Sequence, residues 1–255
     1  MSDALVATLV EIRRKPRPIA PPSETKALSL EEAYAVQDRV RETLIAQGER
    51  LAGWKAAFTN PGLQKTYGTT EPVCGFLLAA SVFGSGVAVP MSRFVAPIVE
   101  AEIAFVMRRD LAGPGVTLPH ALQAVEGALP ALELPDFRMT GKPIGTDLVA
   151  DGIFGNAIVL GSGITPVTNL DLALEGLVYE MNGAVVATNT AAEVLGNPLN
   201  SLVWVANHLG ARGLGLRAGD VVMTGSVSLL LRPKAGDTVR ATYTRLGSVS
   251  VRFVQ

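Results

Sequence analysis

Ala96-Pro-Ile-Val-Glu-Ala-Glu-Ile-Ala-Phe-Val106 is an apolar run interrupted by two acids one residue apart, Glu100 and Glu102. Its β-branched and aromatic content reads as a strand. Side chains in a strand alternate between faces, so Glu100, Glu102, Ala104 and Val106 share one face and Val99, Ala101, Ile103 and Phe105 the other. Two carboxylates on one patch among apolar neighbours repel each other and resist desolvation. A divalent cation relieves both costs, and Mg²⁺, Mn²⁺ and Ca²⁺ all suit oxygen ligands. An edge strand with one face in water accounts for Glu-x-Glu equally well, and the segment alone leaves both open.

Further short Val/Ile/Leu-rich runs lie at residues 85–90, 130–135, 157–160, 177–187, 220–224 and 238–253, separated by Gly and Pro. They predict an antiparallel or mixed sheet. Leu51 to Thr59 is a further strand, with Trp54, Ala56 and Phe58 opposite Lys55, Ala57 and Thr59. Helical signals cluster before it. Residues 1–14 read as a helix, Lys15-Pro-Arg-Pro-Ile-Ala-Pro-Pro22 as an extended connector, and Ser29-Leu-Glu-Glu32 as a capping box. The helix that follows carries Ala33, Val36, Val40 and Leu44 on one stripe and stops at Gly48. Residues 110–127 read as a loop and then a helix, and a helix from Pro198 to Leu209 is capped by Asn197. The expected class is α+β: a mainly helical N-terminal region over 1–75 and a β-rich catalytic domain over 76–255.

Composition narrows the chemistry. The 255 residues are 48% apolar, and mean hydropathy is +0.32. No apolar run reaches the roughly 18–20 residues that span a bilayer, so the apolar area is assigned to a large interior or to contacts between subunits. The N-terminal charges follow the apolar stretch, the wrong order for a secretory signal. A single cysteine, Cys74, excludes an internal disulfide and suits a cytoplasmic protein. A net charge of −1 without a basic run argues against nucleic acid. Only His120 and His208 are present, which excludes His-rich zinc sites, and the cysteine count excludes Cys-based ones. Any metal here is held by carboxylates.

Five ordered segments carry a resemblance: Gly53-Trp-Lys-Ala-Ala-Phe-Thr59, Val99-Glu-Ala-Glu-Ile-Ala-Phe105, Ala131-Leu-Glu-Leu-Pro-Asp136, Leu195-Gly-Asn-Pro-Leu-Asn-Ser-Leu202 and Ala218-Gly-Asp-Val-Val-Met-Thr-Gly-Ser226. Together they resemble the fumarylacetoacetate hydrolase superfamily, in its hydratase/decarboxylase branch, over roughly residues 30–253. The resemblance implies a β-rich body of that fold and a homo-oligomer in aromatic catabolism. It implies that Glu100, Glu102 and Glu133 bind Mg²⁺ or Mn²⁺, which a small 2-keto acid chelates. Lys55 then matches the active-site lysine, and Thr224, Gly225 and Ser226 would hold the substrate carboxylate or an oxyanion. The implied activity is a metal-dependent lyase, with hydration first and decarboxylation second. Without the resemblance, Lys55 reads as a strand lysine covering apolar surface. Thr224-Gly225-Ser226 reads as a strand-end turn, Glu133 as a loop carboxylate, and both histidines as structural.

Departures from the family pattern concern the pocket. Val73 stands where family hydratases carry an aspartate implicated in proton transfer, a task valine cannot perform. Glu71, two residues away, is the candidate substitute. Phe137 replaces serine in an Asp-Ser-Arg run, and Ala150-Asp-Gly-Ile-Phe-Gly155 departs from an Asp-Asn-Ala-Ser pattern. A catalytically degenerate metabolite-binding or partner subunit is the third reading.

Overall fold

The computed structural model describes residues 3–255. Helix α1 (Asp3–Arg14) opens with an acid and closes on Arg13 and Arg14, complementing the helix dipole at both ends. Helix α2 (Leu30–Ala46) starts at the expected capping box: Ser29 Oγ accepts from Glu32 N–H at 3.1 Å, and the Glu32 carboxylate accepts from Ser29 N–H at 2.9 Å. Its stripe of Ala33, Val36, Val40 and Leu44 is buried. Then come β1 (Leu51–Ala57), α3 (Pro61–Tyr67), β2 (Val73–Leu78), β3 (Val82–Gly84), β4 (Val87–Pro90) and β5 (Glu100–Met107). The middle of the chain forms α4 (Leu118–Ala124), β6 (Val125–Leu134), α5 (Gly145–Ala150) and β7 (Ala157–Leu160). The remainder is β8 (Gly176–Met181), β9 (Ala184–Thr190), α6 (Pro198–Ala211), β10 (Val221–Met223), β11 (Thr238–Tyr243) and β12 (Gly247–Val254).

Seven strands form one sheet in the order β2-β1-β10-β5-β6-β7-β3, and five form a second in the order β4-β12-β11-β8-β9. Both sheets are mixed, with parallel pairs at β1–β10, β3–β7 and β4–β12. Strands β11 and β12 pack across β6 and β7. That contact buries Phe105 and Leu132 with Val249, Val251 and Phe253 in one core. A smaller apolar cluster (Ala104, Leu129, Ala131, Val221 and Met223) lies apart from that core. Two buried layers explain why Trp54 and Lys55, on opposite faces of β1, are both 2% exposed.

The α+β reading holds, with the helical region first in the chain. A boundary at residue 75 falls inside β2, and the large sheet takes β1 from one side of it and β5, β6, β7 and β10 from the other. The runs at 177–187 and 238–253 are the hairpins β8–β9 and β11–β12. Short elements α3, α5 and β2 carried too little periodicity to stand out. Among the described residues, no helix is long and apolar enough to cross a membrane.

Candidate metal centre and its cavity

The register of the large sheet builds the centre. Glu100 on β5 lies directly opposite Glu133 on the antiparallel strand β6, and Glu102 lies opposite Ala131. Directly paired residues point to the same face, about 4.5–5.5 Å apart at Cβ, so all three carboxylates converge. Lys55 on β1 and Ala104 on β5 both align with Met223, the last residue of β10. Beyond Met223 the chain leaves the ladder, and Lys55 reaches past β10 and β5 to place its Nζ 2.7 Å from Glu133 Oε1. The contact is a short, fully buried ion pair.

The departing chain closes one side. Gly225 donates its N–H to Glu102 Oε2 at 2.8 Å. It does so at φ +108, and a Cβ there would collide with the Thr59 side chain, so the position requires glycine. Thr224 is buried behind it and donates its hydroxyl to Ile103 O at 2.7 Å, fixing the end of β10 to β5.

Glu102 and Glu133 are 0% and 1% exposed, and Glu100 is half-buried. Burial first, and then Glu133, push the Glu100 carboxyl up to about 7 against the pull of Lys55. Glu102 is raised well above the usual carboxylate range by burial, then by Glu133 and Glu100. Burial also raises Glu133, although Lys55 opposes it. For Lys55, burial favours the neutral amine, but facing Glu133, Glu100 and Glu102 outweighs it and the net shift is upward. Three carboxylates against one ammonium leave two negative charges, which one dication cancels.

The fit to a metal rests on unspent oxygens. Glu102 Oε1 and Glu133 Oε2 are buried without a hydrogen-bond donor, and Glu133 Oε1 has only the Lys55 ammonium, a costly state unless another partner takes the free oxygens. One oxygen from each of the three glutamates lies within 4.8 Å of the others. Ligand distances of about 2.0–2.6 Å put two oxygens on one ion at most roughly 5 Å apart. The donor set is all oxygen, which matches a hard divalent cation.

A cavity of about 260 Å³ opens over the centre. Lys55, Thr59, Glu100, Gly225 and Ser226 form its polar end. Its walls are Phe58, Leu63, Tyr67, Phe137, Leu148, Ile153, Phe154, Leu229 and Leu230. Two pocket departures seen in the sequence, Phe137 and the Ile153-Phe154 pair, are therefore wall residues. Their rings meet at 4.5 Å between Phe137 and Phe154. Gly152, Ile153 and Phe154 take left-handed backbone in succession, with φ 67, 57 and 56, at a cost of roughly 1–3 kcal/mol for each non-glycine residue. A clamp holds them. Fully buried Asp151 accepts from Arg13 of α1 at 3.0 Å and from Arg138 at 2.8 Å, and Arg138 also donates to Gly155 O at 3.0 Å.

The residues singled out in the sequence are not all brought together. Lys55, Glu100, Glu102, Glu133 and Gly225 converge. Ser226 lines the cavity, with its hydroxyl donated to Ser228 O at 2.9 Å. Thr224 supports from behind. Glu71 is exposed outside the cavity lining, 3.5 Å from Trp204 Nε1, and Val73 is fully buried. Asn197 caps α6 through Leu199 N–H at 2.9 Å. His120 sits at the start of α4, and His208 stacks on Trp204, so neither reaches the centre. Sequence reading missed Thr59, Phe58 and Tyr67 as site residues. Phe58 turns the chain out of β1 at φ 56 and stacks on Tyr67 at 4.8 Å, an arrangement no local pattern announces.

Fold and centre together define a two-sheet α+β protein with a three-carboxylate cluster whose oxygens could hold a hard divalent ion. Residues 52–254 match the family described as fumarylacetoacetate (FAA) hydrolase C-terminal, and the chain belongs to that family. It is 35% identical over 99% of its length, and 97% of the relative's, to 2-keto-4-pentenoate hydratase of Burkholderia vietnamiensis (strain G4 / LMG 22486). It is 34% identical to 2-oxo-hept-4-ene-1,7-dioate hydratase of Escherichia coli, over 89% of this chain and 88% of that one. Among solved structures it resembles 4-oxalocrotonate decarboxylase from Pseudomonas putida G7, complexed with magnesium and adipate. The TM-score is 0.94 at 31% identity, covering 98% of this chain and 96% of that one.

Proposed function

We propose that the protein is a divalent-metal-dependent lyase acting on a 2-hydroxy-dienoate or its 2-keto tautomer, as a hydratase of the 2-keto-4-pentenoate type. The observation that carries this reading is the convergence of Glu100, Glu102, Glu133 and Lys55 beside a small cavity that Lys55 and Glu100 line. Glu100, Glu102 and Glu133 would hold Mg²⁺ or Mn²⁺. When bound, the ion supplies Lewis acidity toward the carboxylate and 2-oxygen of the substrate, worth several kcal/mol of charge stabilisation.

The chain's own groups do the rest. Lys55, kept protonated by its acidic neighbours, holds an anionic oxygen or delivers a proton from Nζ. Ser226 and the Thr59 hydroxyl stand at the same end to orient the acid head. Hydration then requires one proton on the terminal diene carbon and water at the β-carbon of the resulting enone, a net addition of H₂O. The apolar walls keep further water from the reacting carbons.

Decarboxylation of a vinylogous β-keto acid is the second reading, and one observation favours it. The cavity lining holds no carboxylate besides Glu100, and Val73 offers none, so an acid–base pair for water is sparse. Loss of CO₂ needs the same charge stabilisation and a single proton. A homo-oligomer in the cytoplasm belongs to the same proposal. The exposed Leu174, Val178, Val185 and Val186 around the β8–β9 hairpin supply apolar surface for subunit contact.

The experiment offers metal-free protein 2-hydroxypenta-2,4-dienoate and 2-hydroxymuconate, with and without Mg²⁺ or Mn²⁺. Metal-dependent loss of dienol absorbance without CO₂ supports hydration, and CO₂ release supports decarboxylation. No turnover of either acid contradicts the lyase reading.

A further inference from the structure

We infer that the cavity selects a substrate whose tail, beyond the acid head, is apolar and uncharged, with Phe137, Phe154 and Leu230 as specificity-determining residues. The inference rests on the hydratase reading, since a decarboxylase substrate carries on its tail the carboxylate it loses, and it names the substrate class of the same site. Charge in the lining is confined to one end: among the described residues Lys55 and Glu100 are its only ionisable acid or ammonium groups, and Lys55 is paired with Glu133. The opposite wall offers aromatic rings and aliphatic side chains. Phe154 is held there by left-handed backbone fastened through Asp151 and Arg138, so the wall is a built feature and not a collapsed loop. The loop carrying Leu229 and Leu230 is tied at its base, where Ser228 Oγ donates to Asn189 Oδ1 at 2.8 Å.

A terminal carboxylate on the tail would be desolvated against this wall without a cationic partner, a state that buried charges avoid. A rival is Arg232. Its guanidinium lies 5.6 Å from the Phe137 ring centroid and its charge acts on the Tyr67 hydroxyl, both wall residues, but it is exposed and does not line the cavity. A volume of about 260 Å³ is just below the roughly 300 Å³ at which drug-sized pockets begin. It suits a five-carbon acid head extended by a short alkyl group.

The test compares two acids that differ at one carbon. Mg²⁺-loaded protein is given 2-hydroxyhexa-2,4-dienoate, which ends in a methyl, and 2-hydroxymuconate, which ends in a carboxylate. The methyl compound should be favoured in kcat/KM by about 100-fold, since a single misplaced group in an apolar pocket is worth ~10- to 200-fold. In parallel, calorimetry with 2-oxohexanoate and 2-oxoadipate should show the monoacid binding at least ~10-fold tighter. Leu230→Arg, at an exposed position of the lining, should raise kcat/KM for 2-hydroxymuconate, and Phe154→Ala should erode the preference for the methyl compound over 2-hydroxymuconate. Preference for 2-hydroxymuconate, with or without CO₂ release, overturns the inference and leaves the lyase reading standing; its loss in Arg232→Ala would assign the tail to Arg232. Failure of both dienoates to react and of both keto acids to bind overturns the two together.

Discussion

The closed end of the cavity and its walls are built by different means. Lys55 and Glu100 line the end, with Glu102 and Glu133 buried behind them, each placed by strand register. The walls come from segments that leave the sheets: the turn after β1, the chain after β6, the left-handed run 152–154 and the loop 226–230. The end carries the charge and the walls carry the apolar surface. On the proposals above, chemistry would sit on rigid ladder positions and discrimination on loops fastened to them.

Breaking the closed end has the largest expected effect. Glu102→Gln should abolish metal-dependent turnover and weaken metal binding by more than the ~10- to 100-fold that outer-sphere partners alone are worth. Residual activity near wild type would remove Glu102 from the centre. Lys55→Met should cut kcat by roughly 10²- to 10⁴-fold, the range of a lost general acid or base. Mg²⁺ should nevertheless bind at least as tightly, because the three carboxylates lose their competing cation. Weaker binding in that variant would show that Lys55 supports the ion instead of opposing it.

The wall is probed through its clamp. Asp151→Asn leaves Arg13 and Arg138 buried without a counter-charge and should lower unfolding stability by about 3–5 kcal/mol in denaturant titration. A change under 1 kcal/mol would show that the left-handed run stands without the clamp.

A smaller, graded effect follows from pH. Glu100 is pushed up from 4.5 to about 7 by burial and Glu133, so the metal-free fold takes up protons that the unfolded chain does not. The contribution of Glu100 to stability should therefore fall as pH rises from about 4.5 through 7, because the ionised form is the one the fold disfavours. His208, pushed down from 6.5 to about 4 by burial, works the opposite way over much of that window, so the check is the difference between the metal-free wild type and Glu100→Gln. That difference should show the fall, and saturating Mg²⁺ should flatten it; identical pH profiles for the two proteins would contradict the carboxylate cluster. The smallest effect belongs to Glu71→Gln, outside the cavity, which should leave kcat/KM within about twofold, as surface changes usually do.

How much of this was legible in the sequence divides along the same line. Glu100 and Glu102 could be placed on one face because a strand has a fixed period of two, and Glu133 joins them only through the β5–β6 register. The resemblance named Glu133 as a third ligand without the pairing that brings it there. The capping box at Ser29 and the cap at Asn197 were readable because a cap is a local bond between near neighbours. Phe58, Thr59 and Tyr67 were not recognised as site residues, since their placement depends on a left-handed turn after β1 that no periodicity encodes. Phe137 and Phe154 stood out only as departures, and their contact needed the fold. Glu71 was proposed from its closeness to Val73 in sequence, but its side chain faces Trp204 at the surface instead of the centre.

A calorimetric titration of the metal-free protein with Mn²⁺, repeated with Glu102→Gln, tests the carboxylate centre most directly. One ion per chain should bind the wild type, with protons released on binding, and the variant should lose that event while keeping its fold by circular dichroism. Absence of binding by the wild type, or equal binding by both proteins, would contradict a metal held by Glu100, Glu102 and Glu133.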